Sequence, residues 1–350
     1  MKFIVSCVLL SLLTRSAFSA SLAQLHVVFR HGERAPTSTF PNDPYINYSW
    51  PNGWGQLTNR GKLQIFQLGQ RIRNEYSNFI PKTYWHKDVN VSSSYSDRCL
   101  ASAELFGAGL FPPVGPQIWN EDLLWQPLPV YYTPRSGDKH IVMKSACPKY
   151  DKIFKEERSS PAILEIENKY KDLKEYLANH TGMKVKNIED IESISNTLEI
   201  EKLHNFSLPS WTNESLMQTM KELGARNLAF YSETDYMKRI KGGMFLKNML
   251  GLMDNNLSKL FLYSAHDLTL VHILRSLELI DVLKPDFGAA LIFELYSDGE
   301  IKINYRNAWD GVSEIMSSKC STPCNIEHFK ESYKNFLPLD YNKECQLDND

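Results

Sequence analysis

No sign of charge dominates this chain: 39 Lys and Arg face 41 Asp and Glu, for a formal net charge of -2. A polyanion-binding surface needs a clustered excess of cations, so nucleic acid is not an expected partner. Apolar runs long enough to cross a bilayer are also missing, since a spanning helix needs about 20 such residues. The longest apolar stretch, Phe3 to Leu13, follows Met1-Lys2 and exits through Ala17-Phe18-Ser19-Ala20. That is the pattern of a cleaved signal peptide over residues 1–20. The mature chain is therefore expected in the secretory route without a membrane anchor, and its last residues, Leu347 to Asp350, are acidic and polar. Internal repeats, low-complexity tracts and the HExxH or paired Asp/His spacings of metal sites are absent too, so neither metal nor cofactor is expected.

Cysteine is scarce. Once Cys7 leaves with the signal peptide, Cys99, Cys147, Cys320, Cys324 and Cys345 remain. An odd number in an oxidising compartment implies at least one unpaired thiol. Cys320-Ser-Thr-Pro-Cys324 reads as a local disulfide in that compartment, ahead of a metal or redox motif. Asn-x-Ser/Thr acceptors at Asn47, Asn90, Asn179, Asn205, Asn213 and Asn256 fit the same route, with Asn90 the poorest because it falls in a predicted strand.

What is present is a globular chain, 43% hydrophobic and 12% aromatic over 350 residues, large enough for one or two domains. Leu25, Val27, Val28 and Phe29 read as a buried strand, stopped by Gly32 and Pro36. Thr58 is placed to cap a helix from about Asn59 to Tyr76, with Ile65, Leu68, Ile72 and Tyr76 on one face. Val89 to Ser93 alternates as a second strand, and Leu100 to Leu110 resumes helical spacing. Leu110 to Tyr132 is punctuated by Pro and Trp and reads as irregular. From residue 150 to 235 the pattern is helical and charged, with Pro161 opening a helix that runs through Ile163, Ile166, Tyr170, Leu173 and Leu177. Gly242-Gly243 precedes an apolar helix, Leu260 to Tyr263 is a strand, and a helix begins near Leu268. Residues 289–296 and 301–305 form a hairpin around Asp298-Gly299. The expectation is an α/β three-layer sandwich with a mixed central sheet, formed by residues 21–149 and 236–350. Residues 150–235 are its smaller helical cap insertion.

The richest stretch is Arg30-His31-Gly32-Glu33-Arg34-Ala35-Pro36, where a buried strand delivers two guanidiniums and an imidazole to one rim of a sheet. It resembles the RHGxRxP signature of the histidine acid phosphatases, the family of prostatic, lysosomal and insect venom acid phosphatases. Ser94-Tyr95-Ser96-Asp97-Arg98 resembles the segment carrying that family's third phosphate-binding arginine, and Tyr263-Ser264-Ala265-His266-Asp267 resembles its His-Asp pair. The similarity runs from about Leu25 to Cys345. It implies a secreted phosphatase, or in second place a lysosomal one, that hydrolyses small phosphate monoesters in acid.

In that resemblance His31 is the nucleophile that forms a phosphohistidine, and Arg30, Arg34, Arg98 and His266 bind the phosphate. Asp267 protonates the leaving oxygen and then helps activate water. Three arginines can serve in place of the metal ions of other phosphatases. The resemblance also pairs Cys147 with Cys345 and Cys320 with Cys324, leaves Cys99 free and implies a homodimer. A further disulfide of vertebrate relatives has no counterpart here. A phytase or lysophospholipid phosphatase would share this core and differ in its pocket walls. The reading from a different class is a weakly active or inactive secreted protein on the same scaffold that binds a phospho-ligand or modulates a host. A mutase is disfavoured by the signal peptide.

Overall fold

The computed structural model describes residues 20–255, 258–316, 319–320 and 323–347, so nearly all of the expected signal peptide lies outside the described residues. Seven strands form one sheet in the order β3-β2-β4-β1-β5-β6-β7. β1 (Leu22–Arg30), β2 (Val89–Ser94), β3 (Val130–Thr133) and β4 (Leu260–Ala265) run parallel. β5 (Ala290–Tyr296), β6 (Ile301–Arg306) and β7 (Glu314–Ile315) continue the sheet antiparallel. Strand β1 lies inside the sheet, so it is covered on both faces and reads as a nearly continuous apolar run.

Two helices, α1 (Asn59–Glu75) and α2 (Asp97–Leu110), cover one face. Their Ile65, Leu68, Ile72, Ala103 and Phe106 pack on Leu25, Val27, Phe29 and Leu262. After β3 the chain forms α3 (Pro148–Arg158), α4 (Pro161–Lys169), α5 (Lys171–Thr181), α6 (Ile188–Leu203), α7 (Glu214–Phe230) and α8 (Asp235–Ile240). It then returns as α9 (Gly242–Asn255) and α10 (Asp267–Ser276), and ends with α11 (Ile326–Tyr333) and α12 (Tyr341–Glu344). α9, α10 and α11 cover the second face, where Phe245, Leu270, Leu274 and Phe329 meet Val28, Phe261 and Phe293. Helix, sheet and helix make three layers.

Helices α4 to α7 share a separate core of Ile163, Leu177, Ile191, Leu198, Met220 and Leu223, which also takes in Phe40 from the loop after the signature. α3 and α8 pack elsewhere, with Tyr341 and the Cys147–Cys345 disulfide. The second disulfide is Cys320–Cys324, and Cys99 is an unpaired, buried thiol. Among the described residues no helix is long and apolar enough to cross a membrane.

Three local expectations change. The helix opened by Pro161 breaks at Tyr170, which leaves helical geometry at φ -104 and ψ 22 and separates α4 from α5. Gly242 and Gly243 lie inside α9, because its backbone presses on its neighbours. A Cβ on Gly242 would meet the His272 carbonyl oxygen at 2.2 Å, and one on Gly243 would meet that of Phe336 at 1.8 Å. The irregular stretch before residue 132 ends in β3, a sheet edge whose Tyr131 and Tyr132 are both exposed and show no alternation.

Candidate active site

Parallel pairing fixes where the chemistry gathers. Arg30 stands opposite Ala265 and Ser93 opposite Ser264, so β1, β2 and β4 end together at one rim. The segments that follow them carry His31, Arg98 and His266-Asp267.

His31 is buried, its backbone N–H donating to the Ala265 carbonyl at 3.0 Å. Its ring Nδ1 lies 2.8 Å from the Gly32 carbonyl. A carbonyl only accepts, so Nδ1 carries the hydrogen and Nε2 keeps its lone pair. That lone pair accepts from Arg98 Nε at 3.0 Å. The loop can sit this deep because two glycines face each other. A Cβ on Gly32 would fall 2.2 Å from the Gly61 carbonyl oxygen, and one on Gly61 would fall 1.9 Å from that of Glu33.

The guanidiniums surround this ring. Arg30 donates to the Pro285 carbonyl at 2.6 Å, pairs with Asp267 at 2.8 Å and lies 4.1 Å over the Phe287 ring. Arg34, also buried, donates through Nη1 to the Ala35 carbonyl at 3.0 Å, while its Nε has no hydrogen-bond partner among the described residues. Burial first, then Arg30 and Arg98, lower its pKa to about 10, so it stays cationic throughout the acid and neutral range. Buried donors with unfilled capacity suit an anion with several acceptor oxygens.

His266 stands edge-on to His31 with ring centroids 5.6 Å apart. Its Nε2 is 2.8 Å from Ser94 Oγ and its Nδ1 is 3.4 Å from Arg98 Nη2. A guanidinium only donates, so Nδ1 accepts and the Nε2 hydrogen goes to Ser94. The His266 backbone N–H donates to Thr269 Oγ1 at 3.3 Å, which sets the start of α10. Asp267 is the first residue of that helix, and its Oδ1 accepts the Leu268 N–H at 2.8 Å.

Charge and burial set the protonation states. His31 is held far below 6.5, by burial foremost and then by Arg98, Arg30, His266 and Arg34. It is therefore a neutral base in acid. Burial and Arg98 likewise hold His266 below its usual range, against the pull of Asp267. Burial alone would raise the Asp267 carboxyl, but Arg30 above all, with His266, the Leu268 N–H and Arg34, holds it ionised.

Several residues of the site escaped the sequence reading. Glu33, fully buried, accepts from Thr58 Oγ1 at 2.8 Å, contacts His204 Nε2 at 2.8 Å and faces Arg60 at 3.3 Å. It ties the signature loop to the cap of α1 and to the end of α6. Phe287, which lies under Arg30 and 5.9 Å from the His31 ring, sits in a loop with no motif. Arg135 adds a positive charge near His266 from beyond the edge strand. Of these, Glu33 alone had a legible signal, as a charged residue inside the signature.

Residues 21–308 match the Histidine phosphatase superfamily (branch 2). Human prostatic acid phosphatase is 35% identical over 96% of this chain and 91% of its own length. Human lysosomal acid phosphatase is 33% identical over 93% and 81% respectively. Among solved structures, Hafnia alvei phytase in complex with myo-inositol hexakis sulphate superposes with a TM-score of 0.70 at 16% identity, covering 94% of this chain and 99% of that one, a likeness of fold. The chain belongs to branch 2 of the histidine phosphatase superfamily, as a homologue of the prostatic and lysosomal acid phosphatases.

Proposed function

We propose that this chain hydrolyses phosphate monoesters in acid through a phosphohistidine on His31. The observation that carries the reading is the Nε2 lone pair of a neutral, buried imidazole amid Arg30, Arg34 and Arg98. A phosphate draws the three guanidiniums onto its oxygens, and Arg98 releases Nε2 as it turns to the anion. The lone pair then attacks phosphorus while the ester P–O bond breaks. The same phosphate competes with Asp267 for Arg30, and its negative charge raises the carboxyl's proton affinity. Asp267 thus gains the proton that it hands to the leaving oxygen, and as carboxylate it takes one from the water that cleaves the P–N bond. His266 holds Arg98 and can transfer its Nε2 hydrogen from Ser94 to a phosphate oxygen. An inactive phospho-ligand binder is not favoured, since the homologous chains are acid phosphatases.

The reading places the mature chain outside the cytosol, secreted or lysosomal, after removal of residues 1–20. Glycan acceptors Asn47, Asn179, Asn205 and Asn213 are exposed, Asn90 is half-buried in β2, and Asn256 lies outside the described residues. Of residues 150–235, helices α4 to α7 act as the cap, with α6 and α7 walling the cavity over Arg30 and Arg34. A homodimer would use the β3 edge, where Tyr132 stacks on the exposed Tyr95.

Purified protein, screened for phosphate release across pH, should turn over phenyl phosphate best in acid and retain activity in EDTA. Labelled substrate, quenched rapidly without acid, should leave phosphate on a histidine. Label on serine or aspartate would overturn the nucleophile assignment, and activity lost to EDTA and restored by a divalent ion would overturn the role given to the arginines.

A further inference from the structure

A cavity of about 910 Å³ opens from Arg30 and Arg34 toward solvent, walled by α6, α7 and the loops around residues 284–287 and 308–310. Arg30 and Arg34 are two of the three guanidiniums around His31, so a leaving group that extends past the phosphate enters this cavity. Building on the phosphatase reading, we propose that Glu199, Asp286 and Glu214 are specificity-determining residues that neutralise the lysines of this chamber and confine it to leaving groups bearing no further phosphate.

The walls hold cations, but each is already engaged. Lys284 lies 2.9 Å from Glu199, Lys221 lies 3.6 Å from Asp286 and Lys202 lies 2.7 Å from Glu214. Arg60, at the rim, faces Glu33. Asp310 adds another carboxylate to the lining. A second phosphate on the substrate would have to take a lysine from its carboxylate and then sit beside the carboxylate left behind. The Lys284 side chain is 5% exposed and that of Glu199 29%, so this is the least solvent-screened of the three pairs and the costliest to break. The Lys221 and Lys202 pairs are half-exposed or more, so they contribute less. Between the pairs, beside Gln64, Asn196 and Gln218, the side chains of Phe287, Trp309, Met217 and Ile200 offer apolar surface to an uncharged body. Hafnia alvei phytase shares this fold, so the fold by itself does not set how many phosphates a substrate carries.

The test compares kcat/KM for inositol hexakisphosphate and phenyl phosphate at fixed ionic strength. It uses the full mature chain and its Glu199→Gln, Asp286→Asn and doubly substituted forms. Wild type should favour phenyl phosphate by about a hundredfold, and Glu199→Gln should raise the hexakisphosphate-to-phenyl ratio about tenfold, as expected for unmasking a buried lysine. Asp286→Asn, at a half-exposed carboxylate whose change spares the fold, should raise it about threefold. Equal use of the two substrates by wild type, or an unmoved ratio in the Asp286→Asn protein, overturns the proposal. A wild type inactive on every monoester instead sinks the phosphatase reading beneath it.

Discussion

The floor and the walls of the chamber use their cations in opposite ways. On the floor, Arg30, Arg34 and Arg98 surround one imidazole, and Asp267 is the carboxylate paired with them at 2.8 Å from Arg30. On the walls, Lys284, Lys221 and Lys202 each have a carboxylate of their own. An unmatched cluster of buried cations is costly to hold, and it is kept where an anion relieves it. Matched pairs on the walls carry no such demand. The difference teaches that the positive residues lining a pocket say little about what it binds until their partners are counted.

Substitutions on the floor should therefore be felt far more strongly than those on the walls, and the sharpest of them is His31→Ala. The attack on phosphorus is assigned to His31 alone, so turnover of phenyl phosphate should fall by at least about 10⁴-fold. Stability measured by denaturant should change little beside that loss. Residual activity within tenfold of wild type would show that the floor merely gathers charge.

Arg98→Ala comes next. It removes one donor to the phosphate while Arg30 and Arg34 remain, a loss on the order of 3 kcal/mol or about a hundredfold in kcat. It also frees the His31 Nε2 lone pair that Arg98 engages at 3.0 Å. Because Arg98 helps keep His31 neutral, the acid limb of the kcat/KM profile should move to higher pH in the variant. A profile that keeps its acid limb in place would remove Arg98 from the electrostatics of the ring.

Asp267→Asn tests leaving groups. Alkyl phosphates need protonation of a poor leaving oxygen and should slow badly, whereas the phosphorylation step with nitrophenyl phosphate should suffer much less. A burst of nitrophenol followed by slow turnover would report delayed attack by water. Equal losses in single-turnover experiments would reduce Asp267 to a residue that positions Arg30 and His266.

The sequence made the floor legible and left the walls obscure, for a physical reason. A strand that must be buried is written as an apolar run, and the turn ending it carries the site's polar groups. Leu25 to Phe29 with Arg30 and His31, and Leu260 to Tyr263 with His266 and Asp267, could therefore be read locally. Which strands lie side by side is a matter of pairing between distant segments, and the sheet order was not derivable from those runs. Edge strand β3 has no alternation to betray it. Lys284 and Glu199 are 85 residues apart. Each looks like an ordinary surface charge until α6 is laid over the loop before β5.

Glu33→Gln probes the strap between the two regions. The carboxylate accepts from Thr58 and meets His204 and Arg60, so its neutral isostere sets an NH₂ group against donors in a buried place. A loss of about 1–3 kcal/mol in unfolding free energy is expected, with KM rising as α6 loosens over the signature loop. Unchanged stability would mean that the strap is incidental to the fold.

The smallest effect on turnover belongs to Glu201, which joins α6 to the loop that follows the signature. Its buried carboxyl is raised to about 8, by burial first and then by the neighbouring Asp43. An unfolded carboxyl releases its proton near 4.5, so between 4.5 and 8 the folded chain binds the extra proton. Stability from this group is full below that window and is lost as pH rises through it. The buried neutral histidines His31 and His266 pull the other way, costing stability as pH falls below 6.5, where the unfolded imidazoles charge. Their effect is common to wild type and variant and cancels in a difference. Glu201→Gln, permanently neutral, should therefore match wild type in Tm at pH 4.5 and exceed it by a growing margin toward pH 8. A margin that is flat with pH, or a variant less stable than wild type at pH 7.5, would show that Glu201 folds already ionised and that the join between α6 and the loop has no preference for acid.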